Sequence, residues 1–97
     1  TALLNEAHEH VDLKIYGRVQ GVGFREFVKK KANEIGDLNG WVENVADGTV
    51  HVLASGPAEN IEKLLKICNQ GPLFAKVEKM ERQPVTEPPS IIGFVRK

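Results

Sequence analysis

The sequence predicts a small α+β domain in which one antiparallel sheet carries two helices on one face. Three observations predict it. Short stretches alternate apolar and polar residues with period two, two longer stretches carry apolar stripes at helical spacing, and glycine- or proline-marked turns separate them. With 97 residues, the chain is the usual size of one domain. A domain this short buries only about 60–65% of its unfolded surface, so one modest core must hold it. The supply is adequate at 41% hydrophobic and 27% charged residues, a balance that argues against disorder.

Residues 1–9 show no periodicity and read as a loose tail, leaving 10–97 as the domain. From His10, Val11, Leu13 and Ile15 face one way and Asp12, Lys14 and Tyr16 the other, which predicts a half-buried strand. Gly17 to Gly23 form a glycine-punctuated loop. The period then changes: Phe24, Phe27, Val28, Ala32 and Ile35 lie on one stripe of a helix, with Gly36 as its C-terminal cap. Gly40 to Val45 read as a second strand, Ala46-Asp47-Gly48 as a hairpin turn, and Thr49 to Ala54 as a third strand. Ser55-Gly56-Pro57 is expected to open a second helix with the proline at its first helical position. Ile61, Leu64, Leu65 and Cys68 form that helix's apolar stripe, and Gly71-Pro72 stops it. Ala75 to Arg82 is a fourth strand. A loop with Pro84, Pro88 and Pro89 follows, and Ile91 to Val95 forms a short fifth strand. The order β-α-β-β-α-β plus a terminal strand is the split βαβ, or ferredoxin-like, layout. Many unrelated activities use that layout, so function must be argued from a site.

Charge narrows the classes. Thirteen basic residues balance thirteen acidic ones and the pI is about 6.8. A nucleic-acid binder is thereby disfavoured, because it needs a cationic surplus to neutralise phosphates. Lys29-Lys30-Lys31 is flanked by Glu26 and Glu34 and reads as a solvated helix face. The single cysteine, Cys68, excludes an internal disulfide and disfavours a thiolate zinc site. No stretch approaches the ~20 apolar residues of a membrane span, and the acidic first residues do not make a signal peptide. A cytoplasmic monomer without metal or cofactor is the expectation.

The loop between the first strand and first helix carries the chemistry. Such a junction can aim several backbone N–H groups at one point, where the helix dipole adds positive potential. Gly21 and Gly23 let the chain curl without a Cβ in an anion's way, and Arg25 stands in the first helical turn with a fork suited to two phosphate oxygens. Generic motifs fit poorly. The P-loop Lys-Ser/Thr is missing, and Glu26 stands where the dinucleotide fingerprint has its third glycine. Gly23 to Val28 faintly resembles an RNA-recognition motif, but its aromatics would lie on a helix rather than a strand. On spacing alone, an anion cradle and a plain glycine turn with a surface arginine remain equally open.

A resemblance separates them. Ile15-Tyr16-Gly17-Arg18-Val19-Gln20-Gly21-Val22-Gly23-Phe24-Arg25 resembles the acylphosphatase signature along its whole length. Gly40-Trp41-Val42-Glu43-Asn44, with Gly48, Val50 and Gly56, resembles that family's second signature, and the similarity extends from about His10 to Val95. The resemblance implies hydrolysis of the carboxyl–phosphate anhydride of acyl phosphates, with inorganic phosphate as product and competitive inhibitor. By the same resemblance, Arg25 and the backbone amides of Gln20, Gly21, Val22, Gly23, Phe24 and Arg25 hold the phosphoryl group, and Asn44 orients the attacking water. Glu43 departs from the family pattern. On a strand it points away from Asn44, so it is expected to weaken the local positive field without touching the reaction.

Other reactive residue types read as structural. His8 and His10 belong to the tail, His51 to the outer face of a strand, Asp47 to a turn, Trp41 to sheet cover, and Cys68 to the core. Two further readings compete with the enzyme: an anion-binding regulatory module with the same cradle, and an RNA binder that lacks the basic surplus.

Overall fold

The computed structural model of the chain describes residues 8–83 and 91–97. Within them the elements run β1 (His8–Arg18), α1 (Phe24–Ile35), β2 (Asn39–Asn44), β3 (Val50–Pro57), α2 (Ala58–Gln70), β4 (Lys76–Gln83) and β5 (Phe94–Arg96). The strands form one sheet in the order β4-β1-β3-β2-β5. Both helices cover the same face, as the two stripes require: Val28 and Ala32 of α1 and Ile61, Leu64 and Cys68 of α2 are no more than 1% exposed. They meet the inward row Val11, Leu13 and Ile15 of β1 and Val50, Val52 and Ala54 of β3. The valines, leucines and isoleucines among them contribute about 1.5–3 kcal/mol each when fully buried.

Four strands pair antiparallel. The fifth departs from the expected antiparallel sheet, because β5 lies parallel to β2, with Gly40 opposite Phe94 and Val42 opposite Arg96. The sheet is therefore mixed. The free edge of β2 is where β5 docks, and a three-residue strand carries no sequence pattern that states a direction.

Boundaries moved where a partner strand supplies hydrogen bonds. β1 begins at His8, so His8 and Glu9, read as the end of a loose tail, belong to the strand. Ser55-Gly56-Pro57, read as a helix start, extend β3 instead. The two changes have one cause: His8 pairs with Pro57, Glu9 with Gly56 and His10 with Ser55. Pro57 then serves as the N-cap of α2 rather than its first helical residue, at φ −59° and ψ 141°. Gly36 and Gly71 cap the two helices, each donating its N–H to a carbonyl four residues back. The loop of Pro84, Pro88 and Pro89 lies outside the described residues.

Candidate active site

β1 delivers the chain to the entrance of α1, and the loop between them turns on two glycines in the left-handed region, Gly21 at φ 74° and Gly23 at φ 79°. A Cβ at either position would meet no protein atom within 4 Å. Backbone conformation is thus what demands glycine there, and the space in front of both is open. Gly23 is the N-cap of α1 but supplies no side-chain cap. The first helical bond runs from Phe27 N–H to Gly23 O at 3.0 Å. The amides of Phe24, Arg25 and Glu26 therefore lie ahead of the hydrogen-bonded ladder, at the positive end of the helix dipole.

Gln20 has a task that its place in the loop did not reveal. Its side-chain amide donates to Val45 O at 2.7 Å and to Thr49 O at 2.9 Å. These are the carbonyls at the mouth of the β2–β3 hairpin, so one side chain ties the loop to the strand that carries Asn44. The hairpin is closed by Asp47, whose carboxylate accepts from Thr49 N–H at 3.0 Å and from Thr49 Oγ1–H at 2.6 Å. Those bonds, with Lys14 Nζ at 3.0 Å, hold the Asp47 carboxyl down at about 2. Asp47 is the turn residue that the sequence implied.

Asn44 ends β2 on the same side as Gly40 and Val42, the helix-covered side. Its Oδ1 is buried and has no hydrogen-bond partner among the described residues. Buried acceptors are normally partnered, so such an atom calls for an explanation. The same small cavity, about 70 Å³, is lined by Asn44, Gly21, Gly23 and Arg25, with Glu26 and Arg96 also on its wall. It is sized for an ion or a few waters rather than an extended ligand. Arg25 is steadied from behind: its Nη1 donates to the main-chain oxygen of Lys97 at 2.7 Å. One of the five guanidinium N–H groups is thereby used and the rest remain available. No sequence signal pointed to Lys97, which β5 brings there by pairing.

Glu43 faces the other way, as strand alternation requires. Its Oε1 lies 3.8 Å from His51 Nδ1 on the helix-free face, where His51 also pairs with Asp12 and meets Trp41 edge-on at 5.0 Å. A larger depression of about 230 Å³ lies on that face, lined by Asp12, Lys14, Val45, His51 and Gln83. Size does not make it the stronger candidate, because its charged groups are already paired, Asp12 with His51 and Lys14 with Asp47, and among the described residues it holds no orphaned buried acceptor. His10 is exposed and bonded to Ser55 Oγ at 3.0 Å, and among the described residues no group of three His, Cys, Asp or Glu is placed to hold a metal ion. Cys68 is wholly buried, and burial pushes its thiol up to about 12. No described helix is long and apolar enough to cross a membrane.

A glycine loop, an uncapped helix start, an arginine and an orphaned asparagine oxygen thus converge on one cavity, and the similarity to known proteins runs through all of them. The acylphosphatase family profile matches residues 11–95. The chain belongs to the acylphosphatase family. The acylphosphatase of Thermus thermophilus is 52% identical over 69 residues, 71% of this chain and 77% of that protein. The crystal structure of the Bacillus subtilis acylphosphatase superposes with a TM-score of 0.85 at 32% identity, covering 94% of this chain and 99% of that one. The Thermococcus kodakarensis HypF structure contains a similar unit, with TM-score 0.77 and 28% identity over 90% of this chain but only 11% of its own. Membership makes this an enzyme of acyl-phosphate hydrolysis with the ferredoxin-like α+β fold.

Proposed function

We propose that the chain hydrolyses acyl phosphates through a division of labour between the loop, Arg25 and Asn44. The amides of residues 20–25 and the Arg25 guanidinium hold the phosphoryl oxygens. Asn44 Oδ1 accepts a hydrogen from water and aims its oxygen at phosphorus. Attack in line forms the new P–O bond as the bond to the acyl oxygen breaks, and the carboxylate leaves with that electron pair. Carboxylate is a good leaving group, so the protein supplies mainly position and charge stabilisation. An amide is too weak a base to deprotonate water, and the water's proton passes to a phosphoryl oxygen of the substrate. The orphaned, buried Oδ1 of Asn44, on a residue that lines the same cavity as Arg25, is the observation that carries this reading. All the groups come from one chain, so a monomer suffices.

The likeness to part of HypF favours a second reading, an anion-binding unit without turnover. Phosphate release from acetyl phosphate, compared with a phosphate monoester and run in EDTA, separates the two. The enzyme reading expects release from acetyl phosphate alone, undiminished by the chelator. Asn44→Ala should bind phosphate nearly as before while kcat falls by about 10², the scale of losing one positioning group. Arg25→Ala should lose both binding and rate. An Asn44→Ala enzyme that keeps most of its kcat would remove the water-orienting role.

A further inference from the structure

Arg96 is the cationic side chain on the cavity wall that the scheme above leaves without a task. It closes β5, two residues beyond the buried Phe94 and opposite Val42 in register, which turns it toward the helix-covered side of the sheet. There it lines the cavity with Arg25, Asn44 and Glu26. Its one ion pair among the described residues is with Glu26, Nη1 to Oε1 at 3.5 Å, and the two side chains are 45% and 57% exposed. A pair that long and that wet is worth little and exchanges readily. Glu26 itself is unexpected beside an anion site, because its charge opposes the positive potential of the helix start.

From this arrangement we propose that Arg96 is a second guanidinium contact for the phosphoryl group, held by Glu26 in the free enzyme and exchanged onto the substrate on binding. The inference rests on the reading that the cavity takes the phosphoryl group. Two guanidinium groups and one carboxylate then meet a substrate that is itself an anion. Substrate offers Arg96 a charge-assisted partner with the oxygens for a bidentate contact, whereas Glu26 offers a long single contact. Glu26 thus competes with the substrate for Arg96 and tunes affinity downward. Arg96 differs from Arg25 in its support, because Arg25 donates to a main-chain oxygen at 2.7 Å and Arg96 has, among the described residues, only its loose pair.

The two partners should shift affinity in opposite directions. With inorganic phosphate as probe, Arg96→Gln should raise the inhibition constant about five- to tenfold, and the KM for acetyl phosphate with it. Arg96→Lys should recover part of that loss. Glu26→Gln should lower the inhibition constant about threefold, and that gain should shrink in the Glu26→Gln/Arg96→Gln double variant. An equal gain in both backgrounds would mean that Glu26 merely repels the anion, and would overturn the exchange. An Arg96→Gln protein that loses Tm but keeps its phosphate affinity would make the pair a strut between β5 and α1, which also overturns it. Arg25→Ala and Asn44→Ala run alongside separate the two failures. If they behave as proposed while Arg96→Gln changes nothing, only this inference falls; if they too leave binding and turnover intact, the parent reading falls.

Discussion

Replacing Gln20 by alanine tests whether one side chain couples the phosphate loop to the strand bearing Asn44. The substitution deletes two hydrogen bonds, to Val45 O and Thr49 O. At about 0.5–1.5 kcal/mol for each net bond, the nominal loss is about 1–3 kcal/mol. The lower end applies, because neither carbonyl is orphaned: Val45 O still accepts from Gly48 N–H at 3.0 Å, and Thr49 O from Val45 N–H at 2.9 Å. A cost of about 1 kcal/mol corresponds to a Tm lower by about 4–8 °C in a domain of this size. Gln20→Glu should do worse at pH 7, since a carboxylate cannot donate and faces two carbonyl oxygens. Below the carboxylate's own pKa it regains one donor, so its deficit should narrow at acid pH. Thermal unfolding followed by circular dichroism measures the stability. Steady-state hydrolysis of acetyl phosphate measures the coupling, where kcat should fall because Asn44 and the loop are no longer held in register. Should Gln20→Ala keep both its Tm and its kcat, the side chain bridges nothing that matters.

Three other outcomes follow from the same geometry. Inorganic phosphate at ten times its Kd should stabilise the fold by about 1.4 kcal/mol, a Tm rise of about 6–11 °C beyond that in chloride at matched ionic strength; a rise of equal size in Arg25→Ala would place the anion elsewhere. Cys68 should resist a thiol reagent at pH 8 in the native protein and react fully in denaturant, because burial holds its thiol near 12; fast native labelling would refute its place in the core. The Asp47 carboxyl has a folded value of about 2 against 3.8 ordinarily, so its contribution is present above the unfolded value and lost as pH falls toward 2. The Tm gap between the protein and Asp47→Asn should therefore be open at pH 7 and mostly lost by pH 2, and a gap that persists there undiminished would show that charge is not what Asp47 supplies.

The sequence by itself determined the identity of the elements and the face each one buries. Periodicity alone marks Val11, Leu13 and Ile15 as one side of a strand, and Ile61, Leu64 and Cys68 as one stripe of a helix, because side-chain direction is a local property of the backbone. The glycine loop and Arg25 were legible for the same reason, since a strand, a turn and a helix start are contiguous in the chain. Alternation likewise foretold that Glu43 faces away from Asn44.

What only the tertiary structure decided depends on partners distant in sequence. β1 begins at His8 and β3 runs on to Pro57 because each lends the other its hydrogen bonds, which no pattern within either segment records. β5 lies parallel to β2 because that edge was open, and this pairing alone brings the Lys97 oxygen to Arg25, 72 residues away. Gln20 reads as a polar loop residue until the hairpin mouth, up to 29 residues further on, folds against it. Asn44 could be named from its motif, but its orphaned oxygen exists only once the surrounding chain has excluded water from that atom. Local order specified which groups the site would have, and long-range pairing specified what holds them in place.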